Sequence, residues 1–144
     1  MINVSQFLKD RQNKVLTVSP DDSVSKALKV MVDNNVGALV VVKEGKVVGI
    51  FSERDFVRNT IVNVKLSMDM LIKELMSVKV CYVRPEQTLE ECMALMTDKH
   101  ARHLPVIEGE KLIGIVSIGD IVKSLIAEKE FTIKQLENYI SGGF

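Results

Sequence analysis

Two Ser-x-x-Asp pairs carry the residues of this chain best suited to chemistry. Ser52 and Asp55 close the run Gly49-Ile50-Phe51-Ser52-Glu53-Arg54-Asp55, and Ser117 and Asp120 close Gly114-Ile115-Val116-Ser117-Ile118-Gly119-Asp120. Each run follows a β-like apolar segment and leads into a helix-like one, Phe56-Val57 in the first copy and Ile121-Val122 in the second. A hydroxyl and a carboxylate three residues apart at a strand-to-helix junction suit a polyol and phosphate ligand. The hydroxyl and the first helix amides donate to an anion, while the carboxylate accepts from sugar hydroxyls. The competing reading is that the serines are helix N-caps and the aspartates first-turn acids. Recurrence of the pair in register is what favours a site.

The elements that must position these pairs are readable from periodicity. Val4, Phe7 and Leu8 mark a short helix over Asn3 to Lys9, followed by a polar loop from Asp10 to Lys14. Val15-Leu16-Thr17-Val18 reads as a strand stopped by the turn cluster Ser19-Pro20-Asp21-Asp22. Ser23 caps a helix whose core face is Val24, Ala27, Leu28, Met31 and Val32, and Asn34-Asn35 ends it. Ala38 to Val42 is a β-branched run expected to be buried on both faces. Lys43-Glu44-Gly45-Lys46 turns the chain, Val47 to Phe51 returns, and a helix runs from Ser52 to about Thr60.

The second half repeats the first. Moving 65 positions along carries Val15–Val57 onto Val80–Val122 without a gap: Val18 meets Val83, Pro20 meets Pro85, Met31 meets Met96, and Gly49, Ser52 and Asp55 meet Gly114, Ser117 and Asp120. Thr88 with Glu91 forms a capping box, and Leu89, Cys92, Met93 and Met96 repeat the core face. This is a tandem duplication of a β-α-β-β-α unit. A unit of this size buries little surface alone, so the two are expected to share a core in one pseudo-twofold body of α/β (α+β) class. The expected division is 1–66, 67–127 and a C-terminal helical extension, 128–144. A helix around Leu71 to Met76 would introduce the second unit as Val4 to Leu8 introduces the first. In the extension, Leu125, Ile126, Ile133, Leu136 and Ile140 lie on one stripe, open to packing within the chain or against a second subunit, and Ser141-Gly142-Gly143 stops the helix.

Bulk properties exclude several classes. The chain has 144 residues, 47% of them apolar, with 19 basic and 19 acidic side chains, so no net charge steers it toward nucleic acid. No apolar run approaches the roughly 18 residues of a membrane span, and Met1-Ile2-Asn3 does not open a signal peptide. Cys81 and Cys92 are too far apart for a CxxC metal or redox site, and Cys92 on an apolar helix face reads as a buried thiol. A soluble, reduced, cytoplasmic protein is expected, with no catalytic cofactor and no metal.

The duplicated Gly-apolar-apolar-Ser-x-x-Asp motif resembles the CBS-domain family, in which two units pair into a Bateman module. The resemblance runs from Val4 to Lys123 and is strongest over Val36–Asp55 and Arg102–Asp120. It implies a stand-alone regulatory pair that binds adenosine-containing ligands (AMP, ADP, ATP, NAD or S-adenosylmethionine) in clefts between the units and signals to a partner protein. It also implies that Asp120 and Ser117 form one half-site and Asp55 and Ser52 the other. Thr17, Val18 and Ala38, with Tyr82, Val83 and His103 to Pro105, would line the base pockets. Arg54, Arg102 and His103 are candidate phosphate contacts, with Arg58 behind them. The alternatives are a solvated helix face for Arg54 and Arg58 and a packed strand residue for His103. Gly119 in place of Arg54 makes the second motif the less charged. A homodimer is implied, with Phe56-Val57 and Ile121-Val122-Leu125 as candidate contacts. The rival reading is a dimeric interaction scaffold with empty clefts. No Ser-His-Asp, Cys-His, metal-ligand or phosphate-loop pattern points to an enzyme.

Overall fold

The computed structural model describes residues 2–11, 15–62 and 67–142. Its first half runs α1 (Val4–Arg11), β1 (Thr17–Val18), α2 (Val24–Asn34), β2 (Ala38–Lys43), β3 (Lys46–Ser52) and α3 (Glu53–Val62). A 3₁₀ turn, Ile72–Glu74, precedes α4 (Leu89–Lys99), β4 (His103–Glu108), β5 (Lys111–Ser117) and α5 (Ile118–Ser141). The unit order is the expected one, and the class is α+β.

Local signals act where the sequence places them. Ser23 Oγ accepts from Lys26 N and Thr88 Oγ1 from Glu91 N, each satisfying one of the open amides at a helix start. Asn35 and His100 close α2 and α4 in the left-handed conformation, at φ 52° and 55°. The face of α2 is narrower than expected: Val24, Ala27 and Met31 are buried, but Val32 is 79% exposed. The hairpins have equal length and different turn chemistry. Glu44 and Gly45 both take positive φ, whereas in the second turn Gly109 is the residue that does.

The strand before each α2-type helix shows what one residue can do. In the first unit β1 pairs in parallel with β2 through Thr17↔Val40 and Val18↔Val41. The Val80–Val83 strand expected in the second unit shrinks to one bridge, Val83↔Val106. The residue corresponding to Val40 is Pro105, which has no N–H to complete the second pairing. Its carbonyl still accepts from Val83 N at 3.0 Å.

The expected single shared core is instead two clusters, and the segment ahead of each unit belongs to the other unit's cluster. Val4 and Phe7 of α1 are buried with Val83, Leu89, Cys92, Met96, Leu104, Val106, Val116 and Ile121. Ile72 and Leu75 are buried with Val18, Val24, Ala27, Met31, Leu39, Val41 and Phe51. The backbone contacts repeat as well: Val4 N and Ser5 N donate to the carbonyls of Gln87 and Pro85, as Ile72 N and Lys73 N donate to those of Asp22 and Pro20. The lead-in segments are therefore a further repeat, offset by 68 residues rather than 65 (Val4 onto Ile72). The expected helix at Leu71–Met76 is only the 3₁₀ turn, with Leu71 N bonded to Glu74 Oε2.

This exchange explains the motif glycines. A Cβ on Gly114 would lie 2.7 Å from Leu8 Cδ2, and one on Gly49 would lie 2.8 Å from both Met76 Sδ and the Ser77 carbonyl. Each glycine leaves room on its strand for the segment crossing it. Ser77 also exchanges two backbone hydrogen bonds with Ile50, at 3.0 and 2.9 Å.

The candidate dimer contacts are unequally available. Ile121 is fully buried, because its side chain completes the second core, while Phe56 and Leu125 pack partly against the two clusters. Val57 and Val122 are exposed, and so are Ile126, Ile133, Leu136 and Ile140 of the C-terminal stripe. Of that stripe, only Leu125 packs on the core. Gly142 caps α5 at φ 72°, while Gly143 lies outside the described residues.

Candidate functional site

Each Ser-x-x-Asp pair closes a reciprocal cap. Asp55 N donates to Ser52 Oγ (3.2 Å), while Ser52 N and Oγ both donate to Asp55 Oδ2 (3.0 Å each). Asp120 N donates to Ser117 Oγ (3.2 Å), and Ser117 Oγ donates to Asp120 Oδ2 (2.8 Å). The capping role is therefore real, and it also fixes both carboxylates at a helix N-terminus that favours negative charge.

Both pairs open onto clefts between the units. The Asp120 cleft, about 360 Å³, takes Ser117, Asp120 and Ile113–Ile115 from the second unit. From the first unit it takes Val15, Leu16 and residues 34–38, with Leu8 and Arg11 of α1 on its rim. The Asp55 cleft, about 430 Å³, is built from the corresponding positions: Ile50, Ser52 and Asp55 face Cys81 and residues 99–103. Lys79 lines it as Arg11 lines the first. Gly37 and His103 line both clefts, and a Cβ on Gly37 would sit 3.7 Å from His103 Nε2. One imidazole thus forms the wall between two sites.

The named residues divide accordingly. Ala38, His103, Ser117 and Asp120 meet in one cleft, and Ser52, Arg54, Asp55, Arg58, Arg102 and His103 in the other. Thr17, Val18, Tyr82, Val83 and Pro105 line neither. Val18 and Val83 are core residues, Pro105 is buried, Thr17 is exposed, and Tyr82 lies exposed under the Arg84 guanidinium, 5.6 Å from its ring centre. On that side the cleft walls are one or two residues earlier, at Val15-Leu16 and Cys81. The alternation of β1 points Val18 into the core, and that period-two signal was available in the sequence. Arg11, Leu8 and Lys79 were not singled out. Their place depends on segments that cross to the opposite unit.

Electrostatics separate the clefts. Burial works to raise the Asp120 pKa, but hydrogen bonds from Arg11 and Ser117 and the charges of Arg11 and Lys123 outweigh it and hold the carboxyl below its ordinary value. Arg11 Nη1 lies 2.6 Å from Asp120 Oδ2. Burial, with the charge of Arg102, lowers the His103 pKa against the opposing pull of Asp120 and Glu53. Among the described residues, no group of three or more His, Cys, Asp or Glu side chains could hold a metal. No described helix is long and apolar enough to cross a membrane.

A duplicated α+β unit with paired inter-unit clefts is the architecture of a CBS pair, and the CBS-domain family model matches residues 6–61 and 72–127. The chain belongs to the CBS-domain family. It is 41% identical over 134 residues to the mitochondrial CBS domain-containing protein CBSX3 of Arabidopsis thaliana, covering 90% of this chain and 65% of that one. The chain thus spans somewhat less than two thirds of that relative. A solved structure of a CBS-domain protein from Burkholderia ambifaria superposes with a TM-score of 0.82 at 45% identity, covering 88% of this chain and 95% of the other. A crystal structure of CBSX2 in complex with AMP superposes with a TM-score of 0.73 at 28% identity, covering 90% and 99%.

Proposed function

We propose that this protein is a regulatory CBS pair that binds an adenosine-containing ligand in its inter-unit clefts and signals occupancy to a partner protein. The observation that carries this reading is that each Ser-x-x-Asp pair opens on a cleft whose far wall belongs to the other unit. A ligand spanning such a cleft binds one relative placement of the units better than others, and so shifts an existing equilibrium. The AMP complex of CBSX2 supports the ligand class. Asp120 and Asp55 would accept from ribose hydroxyls, with Ser117 and Ser52 beside them. The module acts as a homodimer, with Val57 and Val122 as its exposed apolar contacts. It is a binding module rather than an enzyme. The free thiols of Cys81 and Cys92 suit the cytoplasm.

The test is a thermal-shift panel of AMP, ADP, ATP, NAD, NADH and S-adenosylmethionine on protein freed of co-purified nucleotide. A ligand that binds only the folded state raises the melting temperature by mass action. A selective shift, weakened by Asp120→Ala by about 1–3 kcal/mol in binding, supports the reading. No shift with any of them favours the scaffold.

A further inference from the structure

Among the described residues, the two clefts are built alike and charged unlike. Arg54, Arg58, Lys79, Lys99 and Arg102 line the Asp55 cleft, against the carboxylates of Glu53 and Asp55. Among the described residues of the Asp120 cleft, Arg11 and Asp120 are the charged side chains, and they pair with each other. The cations of the Asp55 cleft come from four separate places. Arg54 and Arg58 stand one turn apart on α3, Lys79 follows the 3₁₀ segment, Lys99 ends α4, and Arg102 precedes β4. Lys99 has a loose contact with Asp98 at 3.7 Å. Among the described residues no ion pair forms to Arg54, Arg58, Lys79 or Arg102, and all are exposed. In a chain with no net charge, convergence of unpaired guanidinium and ammonium groups on one cleft is a local feature with a local consequence.

We infer that the Asp55 cleft is a polyphosphate site. Resting on the adenosine reading above, the ligand of the Asp55 cleft is a nucleoside di- or triphosphate. Guanidinium groups bind phosphate oxygens in a planar fork, and each further phosphate engages a further cation. A single phosphate would leave most of these charges repelling one another. Among the described residues of the Asp120 cleft, the cation Arg11 is already held by the Asp120 carboxylate.

The experiment is calorimetric titration with ATP, AMP, adenosine and inorganic tripolyphosphate, comparing the wild type with Arg54→Gln/Arg102→Gln and with Arg11→Gln. The expected result is that the double variant loses about tenfold or more in ATP affinity, the size of a lost charge-assisted contact, and no longer binds tripolyphosphate. Its AMP and adenosine binding at the Asp120 cleft stays unchanged. Added salt weakens ATP more than adenosine. Unchanged ATP affinity in the double variant, or ATP bound no tighter than adenosine, overturns the inference while leaving the adenosine reading intact. Tripolyphosphate binding that needs Arg54 and Arg102, with no nucleoside bound at all, keeps the polyphosphate site and overturns the adenosine reading. Binding of none of the four overturns both.

Discussion

Arg11, in the last turn of α1, reaches Asp120 in the first turn of α5, with Nη1 2.6 Å from Oδ2. The guanidinium also lies 5.1 Å from the ring centre of Phe7, one turn back on the same helix, and Phe7 is itself buried in the second unit's core. A helix that opens the first half is therefore pinned to the motif of the second by an apolar anchor and an ion pair.

The ion pair has a pH signature. The Asp120 carboxyl is held below its ordinary value, so the stability it adds is present above the unfolded carboxylate range and is lost as pH falls through the lowered folded value. Both partners are about a third exposed, so solvent screening limits the effect to about 1 kcal/mol or less. Asp120→Asn should melt below the wild type at pH 7, and the gap should close as pH falls below about 4. Melting curves from pH 7 to 3 check this. A gap that persists at the acid end would mean the aspartate acts through its cap alone.

Phe7→Ala should cost about 3–5 kcal/mol, the usual range for emptying a buried aromatic site. The loss should fall on the second unit, because that is where Phe7 is buried. Hydrogen exchange would show it: amides of β4 and β5 should lose protection before those of β2 and β3. Equal loss in both units would mean that the two clusters melt as one.

The two motif glycines should not be equally replaceable. Gly49→Ala places its methyl against the Ser77 carbonyl as well as Met76 Sδ, and backbone cannot swing aside. Gly114→Ala meets only the far end of the Leu8 side chain. Overpacking of this kind costs about 1–3 kcal/mol, and Gly49→Ala should sit at the upper end with Gly114→Ala below it. Urea midpoints of the two variants decide the order.

Cys92 is fully buried and burial pushes its thiol up to about 11, whereas Cys81 is partly exposed on the wall of the Asp55 cleft. A thiol reagent at pH 8 should titrate one cysteine in the folded protein and two in denaturant. Protection of Cys81 by ATP would tie its reactivity to occupancy of that cleft.

The duplication, the unit order, the helix caps and the two Ser-x-x-Asp pairs were legible in the sequence because each depends on near neighbours along the chain. Periodicity reports which face of an element is apolar, and a repeat at one offset reports that two units share a plan. Even Pro105, which trims a strand to one bridge, could have been read in advance, since a missing N–H is a property of the residue itself. Tertiary structure decided what lies between the units. That α1 joins the second core and Ile72 and Leu75 the first follows from which apolar surfaces remain uncovered once both units form. The altered offset of these segments hides them from the main repeat. The exchange brings Arg11 to Asp120 and Lys79 to the Asp55 cleft, and makes the one imidazole of His103 a wall of both sites. Charge in the two clefts is set by side chains far apart in sequence, so among the described residues a chain with no net charge holds one cleft in which Arg11 pairs with Asp120 and another lined by five cations.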